Sequence, residues 1–377
     1  MTSFRQRASR LFTVAFTAAA LAALAAPSAR ADITIGQTAG YTGTVAASVK
    51  EATQGAKLYF DIVNAGGGVN GQKITLVSLD DKFDAKLAVT NAKALIDQGV
   101  IALFLNRGTP LTQAIMPLLT EHRIPLVAPS TGAMALHKPV HPWLFNVRAT
   151  YQREAERTIE HLSLIGVERI AILQVDDSFG EDAVVGALHG LSKVNKVAVA
   201  HEKYDRATPD FGPLVPKLLA SQPQAVLFIG SGTAVVQGMK AVRAAGSTAQ
   251  LVTLSNNASA GFIKGLGDIA YGVIVSQVFP YERSIAKPVI KEALEAAQKA
   301  GIELTPTTVE GYVSAKVLVE GLKHAGKQPT RQSLRDALEN MGHFDLGGIE
   351  LGYSAKDHTG LDYVDLAIID QSGKFRR

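Results

Sequence analysis

The strongest constraint on this chain is a repeating pattern: a short apolar run, a loop, a helix-length amphipathic segment, then another apolar run. Residues 101–133, IALFLNRGTPLTQAIMPLLTEHRIPLVAPSTGA, show it most sharply. The run at 101–105 reads as a buried strand broken at Asn106, Arg107 and Gly108. Thr109 and Pro110 then read as a helix start, Thr as N-cap and Pro at a position whose N–H would be unpaired anyway. Leu111, Ile115, Leu118 and Leu119 fall on one face of a helix reaching His122. A second buried strand, 124–128, ends in Pro129, Ser130, Thr131 and Gly132. Two strand ends thus open side by side into hydroxyl- and glycine-rich backbone. In an open parallel sheet, ligands bind at such a place, and free N–H groups at a helix start favour an anion. A pocket for a small carboxylate is the expectation.

The same alternation runs through the whole chain. Strands are expected at 33–37, 73–79, 101–105, 124–128 and 143–148, with helices at 45–64, 85–98 and 109–122 between them. A second series follows: helix 150–165, strand 169–175, helix 179–193, strand 196–204, helix 211–221, strand 225–229, helix 233–245, strand 251–254, helix 259–266 and strand 273–278. Buried strands separated by helices of ordinary length predict doubly wound parallel sheets, and the restart predicts two similar lobes. Three helices come next, 288–300, 307–325 and 331–341, with a capping box expected at Thr307–Glu310, before a strand- and turn-rich tail. Two hinged lobes require the chain to cross near 147–151, 278–282 and 344–352. One lobe is then 32–148 with 281–346, the other 149–280 with 347–377.

The first 31 residues read as a leader. Arg5, Arg7 and Arg10 precede an Ala/Leu-rich stretch too short for a membrane span, and Ala29-Arg30-Ala31 is an A-x-A cleavage site. They hold four of the 38 basic residues and none of the 34 acidic ones, so the remainder balances at 34 of each. The basic character goes with the leader, which removes the support for a nucleic-acid partner. The chain has no cysteine, hence no disulfide and no lipid anchor on an N-terminal Cys. A freely diffusing, monomeric periplasmic protein is expected.

Several motifs fail on context. The run GGGVNG at 66–71 matches a dinucleotide fingerprint by letter, but it follows a helix and opens a strand, so it reads as a helix end and turn. Residues 321–327 nearly spell a P-loop, yet Gln328 stands where Ser or Thr is required. The histidines show no metal spacing, there is no G-x-S-x-G elbow, and no base is identifiable for Ser178. No enzyme, cofactor or metal is expected. Arg107, in a strand-end loop facing the cleft, is either a solvated loop residue or a bidentate carboxylate partner. Ser130 and Thr131 either cap a short helix at 132–136 or touch the ligand. Tyr41, Tyr151 and Phe179 fall at strand–helix junctions on the cleft side, where they cover an apolar ligand body or pack the hinge.

Together, the leader, the 38–43 loop, NAGGGVNGQKI, APST, FNVRAT, QVDDSFGED and VSQVFPYE resemble, in order and spacing, the type I periplasmic solute-binding proteins of ABC importers, in their leucine/isoleucine/valine-binding branch. The resemblance spans the chain beyond the leader. It implies two Rossmann-like lobes, a three-segment hinge, a ligand trapped by lobe closure and delivery to an inner-membrane permease. It assigns the ligand's carboxylate to Gly108, Thr109, Ser130, Thr131 and Gly132, and a closing aromatic to Phe179. Two departures stand out. Ser231-Gly232-Thr233 replaces a tyrosine of the branch, and Ser255-Asn256-Asn257 replaces the glutamate that takes the ammonium group. Thr233 and Asn256 thus become candidate ligand contacts, and Asp176 or Asp177 a candidate substitute acid. Branched-chain amino acids are the default ligand, with an aromatic, keto or other organic acid as the alternative. A ligand-sensing receptor subunit is the rival role.

Overall fold

The computed structural model describes residues 32–377, so the expected leader and cleavage site lie outside the described residues. The first series is β1 (Ile33–Ala39), α1 (Ala46–Ala65), β2 (Ile74–Asp80), α2 (Ala85–Asp97), β3 (Ala102–Phe104), α3 (Thr109–Glu121), β4 (Leu126–Val127) and β5 (Leu144–Phe145). Its strands form one parallel sheet in the order β2-β1-β3-β4-β5. The second series is α4 (Tyr151–Leu164), β6 (Ile170–Val175), α5 (Ser178–Lys193), β7 (Ala200–Tyr204), α6 (Leu214–Ala220), β8 (Ala225–Ile229), α7 (Gly232–Ala244), β9 (Gln250–Thr253), α8 (Ala260–Leu266) and β10 (Ile274–Gln277). These strands are again parallel, in the order β7-β6-β8-β9-β10. Strand β6 is buried along its whole length, as expected of a sheet covered on both faces by helices.

The chain then returns to the first sheet with α9 (Pro288–Ala300), α10 (Pro306–His324) and α11 (Arg331–Glu339). Helix α10 lies against α1 at backbone contact: a Cβ on Gly55 would sit 1.9 Å from the Thr308 carbonyl oxygen, and one on Gly311 1.7 Å from that of Ala52. Tyr59 and Tyr312 pack edge to face beside this contact, ring centres 5.1 Å apart. The tail forms a hairpin, β11 (Gly342–Asp345) with β12 (Glu350–Tyr353), and then adds β13 (Asp365–Ile369) and β14 (Phe375–Arg376) antiparallel to β10.

Four expectations change. The tail was to join the second lobe from 347, but Leu351, Tyr353 and Leu361 pack in the cluster that contains β1, and the second sheet is reached at Asp365. The expected capping box at Thr307–Glu310 is absent: Thr305 caps α10 through Thr308, because Pro306 takes the first helical position. Thr109 does not cap α3, since Gly108 at φ 95° holds that place with no side-chain cap. The strand expected over 196–204 also shortens to β7, the residues before it forming a turn at Asn195, φ 56°.

Candidate functional site

In each sheet the strand order reverses next to the first-formed strand, between β1 and β3 and between β6 and β8. Crevices open at such switch points, beyond the carboxyl ends of the strands. Strands β3 and β4 end alike: Leu105 (φ 51°) and Ala128 (φ 54°) both take the left-handed conformation without being glycine. Each costs on the order of 1–3 kcal/mol and turns the chain out of the sheet. The loops so aimed run together, Arg107 pairing with Ser130 as an isolated parallel bridge and Ser130 N–H donating to the Asn106 carbonyl at 2.8 Å.

Arg107 is 3% exposed. Its Nη1 donates to Ser130 Oγ at 2.9 Å and its Nη2 to the backbone carbonyl of Asn256, on the second sheet's side, at 2.7 Å. Both direct acceptors are neutral. Burial pulls the guanidinium pKa below its ordinary value, with Tyr151 and Glu310 acting against the shift. Ser130 passes the polarity on by donating to Glu310 Oε1 at 2.8 Å. Thr109 and Thr131 share a hydroxyl–hydroxyl bond of 2.7 Å beside this pair. Gly132 has a backbone duty: a Cβ there would sit 2.5 Å from the Ala149 carbonyl oxygen, and Tyr151 N–H bonds to the Gly132 carbonyl at 2.8 Å. It lets the first crossover pass under the loop.

On the opposite wall, Tyr151 and Phe179 pack with ring centres 4.5 Å apart, and the Arg148 guanidinium lies 4.6 Å over the Tyr151 ring. Tyr41 belongs to the β1–α1 loop, where its hydroxyl donates to Gln37 at 2.6 Å; it packs beside Phe83. Thr233 N–H reaches the Thr44 carbonyl at 3.2 Å, and Thr233 and Asn256 line a cavity of about 80 Å³ between α1 and the starts of α7 and α8. The structure therefore brings Arg107, Ser130 and Asn256 into direct contact. Tyr41 and Thr233 stand at the edges of the same crevice.

The acids expected to receive an ammonium group are otherwise engaged. Asp177 caps α5 through Phe179 and Gly180 N–H and pairs with Arg206, whereas Asp176 is exposed and near Lys203. Sequence reading missed several residues here. Arg148 pairs with Glu154 at 2.5 Å and donates to Ser255 at 2.6 Å, all of it buried. Burial lowers the Arg148 pKa, but Tyr151, Glu154 and Glu310 outweigh it and hold the group above its ordinary value. Glu154 also receives Ser255 N–H and the Ser276 hydroxyl. Phe83, at φ 63°, stands against Gly108 and under Arg206, 4.9 Å from its ring centre. A usable signal existed: Arg148 closely follows a buried strand as Arg107 does, and Glu310 is an acid in an otherwise uncharged helix start. Two buried polar atoms at the cleft, Asn256 Oδ1 and Asn106 Oδ1, make no hydrogen bond, and Arg148 Nη1 has only an ion pair with Glu310 at 3.8 Å. Among the described residues, no group of three or more His, Asp or Glu side chains could hold a metal ion.

Two doubly wound sheets are linked by three chain passages, and loops of both line one crevice, the architecture of a two-lobed α/β binding protein. The chain belongs to the periplasmic binding protein family, whose model matches residues 32–374. It is 25% identical over 322 residues to Leu/Ile/Val-binding protein homolog 3 of Brucella melitensis, covering 84% of this chain and 85% of that one. It is 24% identical to the Leu/Ile/Val-binding protein of Escherichia coli K12 over 269 residues, 71% and 73% of the two chains. A substrate-binding periplasmic protein from Ralstonia solanacearum superimposes with a TM-score of 0.85 at 33% identity, covering 91% of this chain and 99% of that one. The protein is a solute-binding protein and not an enzyme.

Proposed function

We propose that this protein captures a small organic monoanion in the periplasm by lobe closure and presents it to an inner-membrane ABC permease. One observation carries the ligand class: Arg107 is a buried cation whose direct partners are a hydroxyl and a carbonyl from opposite walls. A buried charge without an opposite charge is costly, and a ligand carboxylate supplies one in bidentate form. Ser130, Thr109 and Thr131 add hydroxyls beside it, and Tyr151 and Phe179 offer an apolar wall. An ammonium group has no such invitation, because Asp177, Glu154 and Glu310 already hold cations or donors. A keto acid or an aromatic carboxylate fits this balance better than an amino acid. The second reading, a branched-chain amino acid, is favoured by the names of the relatives.

Isothermal titration separates the two with one carbon skeleton. On the first reading, 4-methyl-2-oxopentanoate or benzoate binds and L-leucine binds at least tenfold more weakly. Tight leucine binding that discriminates against the keto acid would overturn the monoanion assignment.

A further inference from the structure

Asn256 faces the anion site with two different groups. Its backbone carbonyl takes Arg107 Nη2 at 2.7 Å, and its side-chain amide belongs to the same turn. The orientation of that amide is fixed by its neighbours. Asn256 Nδ2 donates to the Gly230 carbonyl at 2.8 Å and to Ser231 Oγ at 3.0 Å. A backbone carbonyl only accepts, so the amide nitrogen, and not the oxygen, must face it. Asn257 braces the turn through Gly230, Gly232 and Thr253. All of these partners lie in the second sheet and its own loops, so the amide keeps its orientation whatever the position of the other half.

The amide oxygen is left over. Asn256 is 3% exposed, and its Oδ1 makes no hydrogen bond. A buried acceptor without a donor carries a free-energy cost that a suitable ligand group removes. An ammonium group fits it poorly, because it brings a charge and three protons to a single neutral acceptor. A keto oxygen brings no proton and sets lone pair against lone pair. A hydroxyl brings the one proton required. Because the Arg107 guanidinium touches Asn256, a substituent on the carbon beside a bound carboxylate falls within reach of Oδ1. Asn256 also lines the cavity of about 80 Å³, whose apolar wall includes Val45, Val236 and Phe262. That space holds a short branched alkyl group.

We infer that Asn256 is a specificity-determining residue and that the solute is a 2-hydroxy carboxylate, its carboxylate on Arg107, its hydroxyl donating to Asn256 Oδ1 and its alkyl group in the adjoining cavity. The inference rests on the monoanion reading proposed above and narrows it.

One carbon skeleton again supplies the probes. Isothermal titration compares each enantiomer of 2-hydroxy-4-methylpentanoate with 4-methyl-2-oxopentanoate and 4-methylpentanoate. One enantiomer should bind about tenfold more tightly, or better, than either compound lacking the hydroxyl, the worth of a buried acceptor otherwise unpaired. Asn256→Leu removes the acceptor and should bring that ratio close to one. Arg107→Gln should weaken the whole series by a common factor. An Asn256→Leu protein that loses affinity for all the probes alike, with the ratio kept, would make Asn256 a structural residue and overturn the inference. So would a parent that binds the hydroxy and oxo acids equally or prefers the oxo acid, a result that needs no variant. Absence of binding across the series would overturn the monoanion reading and this one with it, whereas equal binding overturns this one alone.

Discussion

Replacing Arg107 by glutamine should move affinity and stability in opposite directions. The guanidinium is buried, and its two bonds go to Ser130 Oγ and the Asn256 carbonyl. As the partner of a ligand carboxylate it takes part in a desolvated charge pair, and truncating one side of such a pair costs about 3–5 kcal/mol. That corresponds to roughly 10²–10³ or more in dissociation constant. In the ligand-free protein the balance reverses. Glutamine keeps one donor for Ser130 or Asn256, while the burial cost of an uncompensated cation disappears. The free protein should therefore melt at the same temperature or a higher one. Titration with 4-methyl-2-oxopentanoate and benzoate reads the first effect, and urea unfolding without ligand reads the second. A variant that binds as before but loses more than about 2 kcal/mol of stability would refute the reasoning, making Arg107 a structural bridge.

Three further outcomes follow from the same contacts. Ser130→Ala leaves Arg107 and Glu310 without their shared hydroxyl and should weaken binding about tenfold in the same titration; Thr131→Val, which removes the bond to Thr109, should cost somewhat less. Glu154→Leu removes the closest carboxylate of the buried Arg148, leaving it Ser255 and the more distant Glu310, so urea unfolding should show a loss of about 3–5 kcal/mol. Two buried groups give opposite pH slopes. Asp81 is pushed up to about 6 by burial, so its stabilising contribution is full below pH 4 and lost as pH rises through 6; Asp81→Asn should remove that decline. His137 is pushed down to about 4 by burial, so its contribution is present above pH 6.5 and lost on acidification towards 4; His137→Leu should flatten the acid limb of the urea midpoint.

Much of this molecule is readable from pattern because apolar periodicity reports burial directly. The strand at Ala225–Ile229 and the helix at Pro288–Ala300 fall where the spacing places them. What periodicity cannot report is where the backbone leaves its ordinary regions. Leu105 and Ala128 look like the last residues of two strands, yet they are the left-handed turns that aim both cleft loops. Helix caps failed for a related reason: a glycine at φ 95° displaced Thr109, and a proline displaced Thr307. Within the site, Arg107 and Ser130 were recognisable because they follow apolar runs. Arg148 and Glu310 also act through partners far away in the chain, Arg148 being 107 residues from Ser255 and Glu310 180 from Ser130. Pairings of that kind are set by the three chain passages, which single-sequence spacing locates only roughly.

The way the second sheet is finished has a consequence for how the chain assembles. Strand β10 is buried, and its outer edge is covered by β13, which pairs with it from Ile274 to Gln277. The covering residues lie some ninety positions later, after three helices and a hairpin that pack against the other sheet. Until the tail docks, β10 presents a row of unpaired backbone groups, the kind of edge that recruits a strand from another chain. Closing so long a loop is also slow. A chain shortened before Asp365 should consequently keep its crevice residues and yet aggregate, because its second sheet would have no finished border.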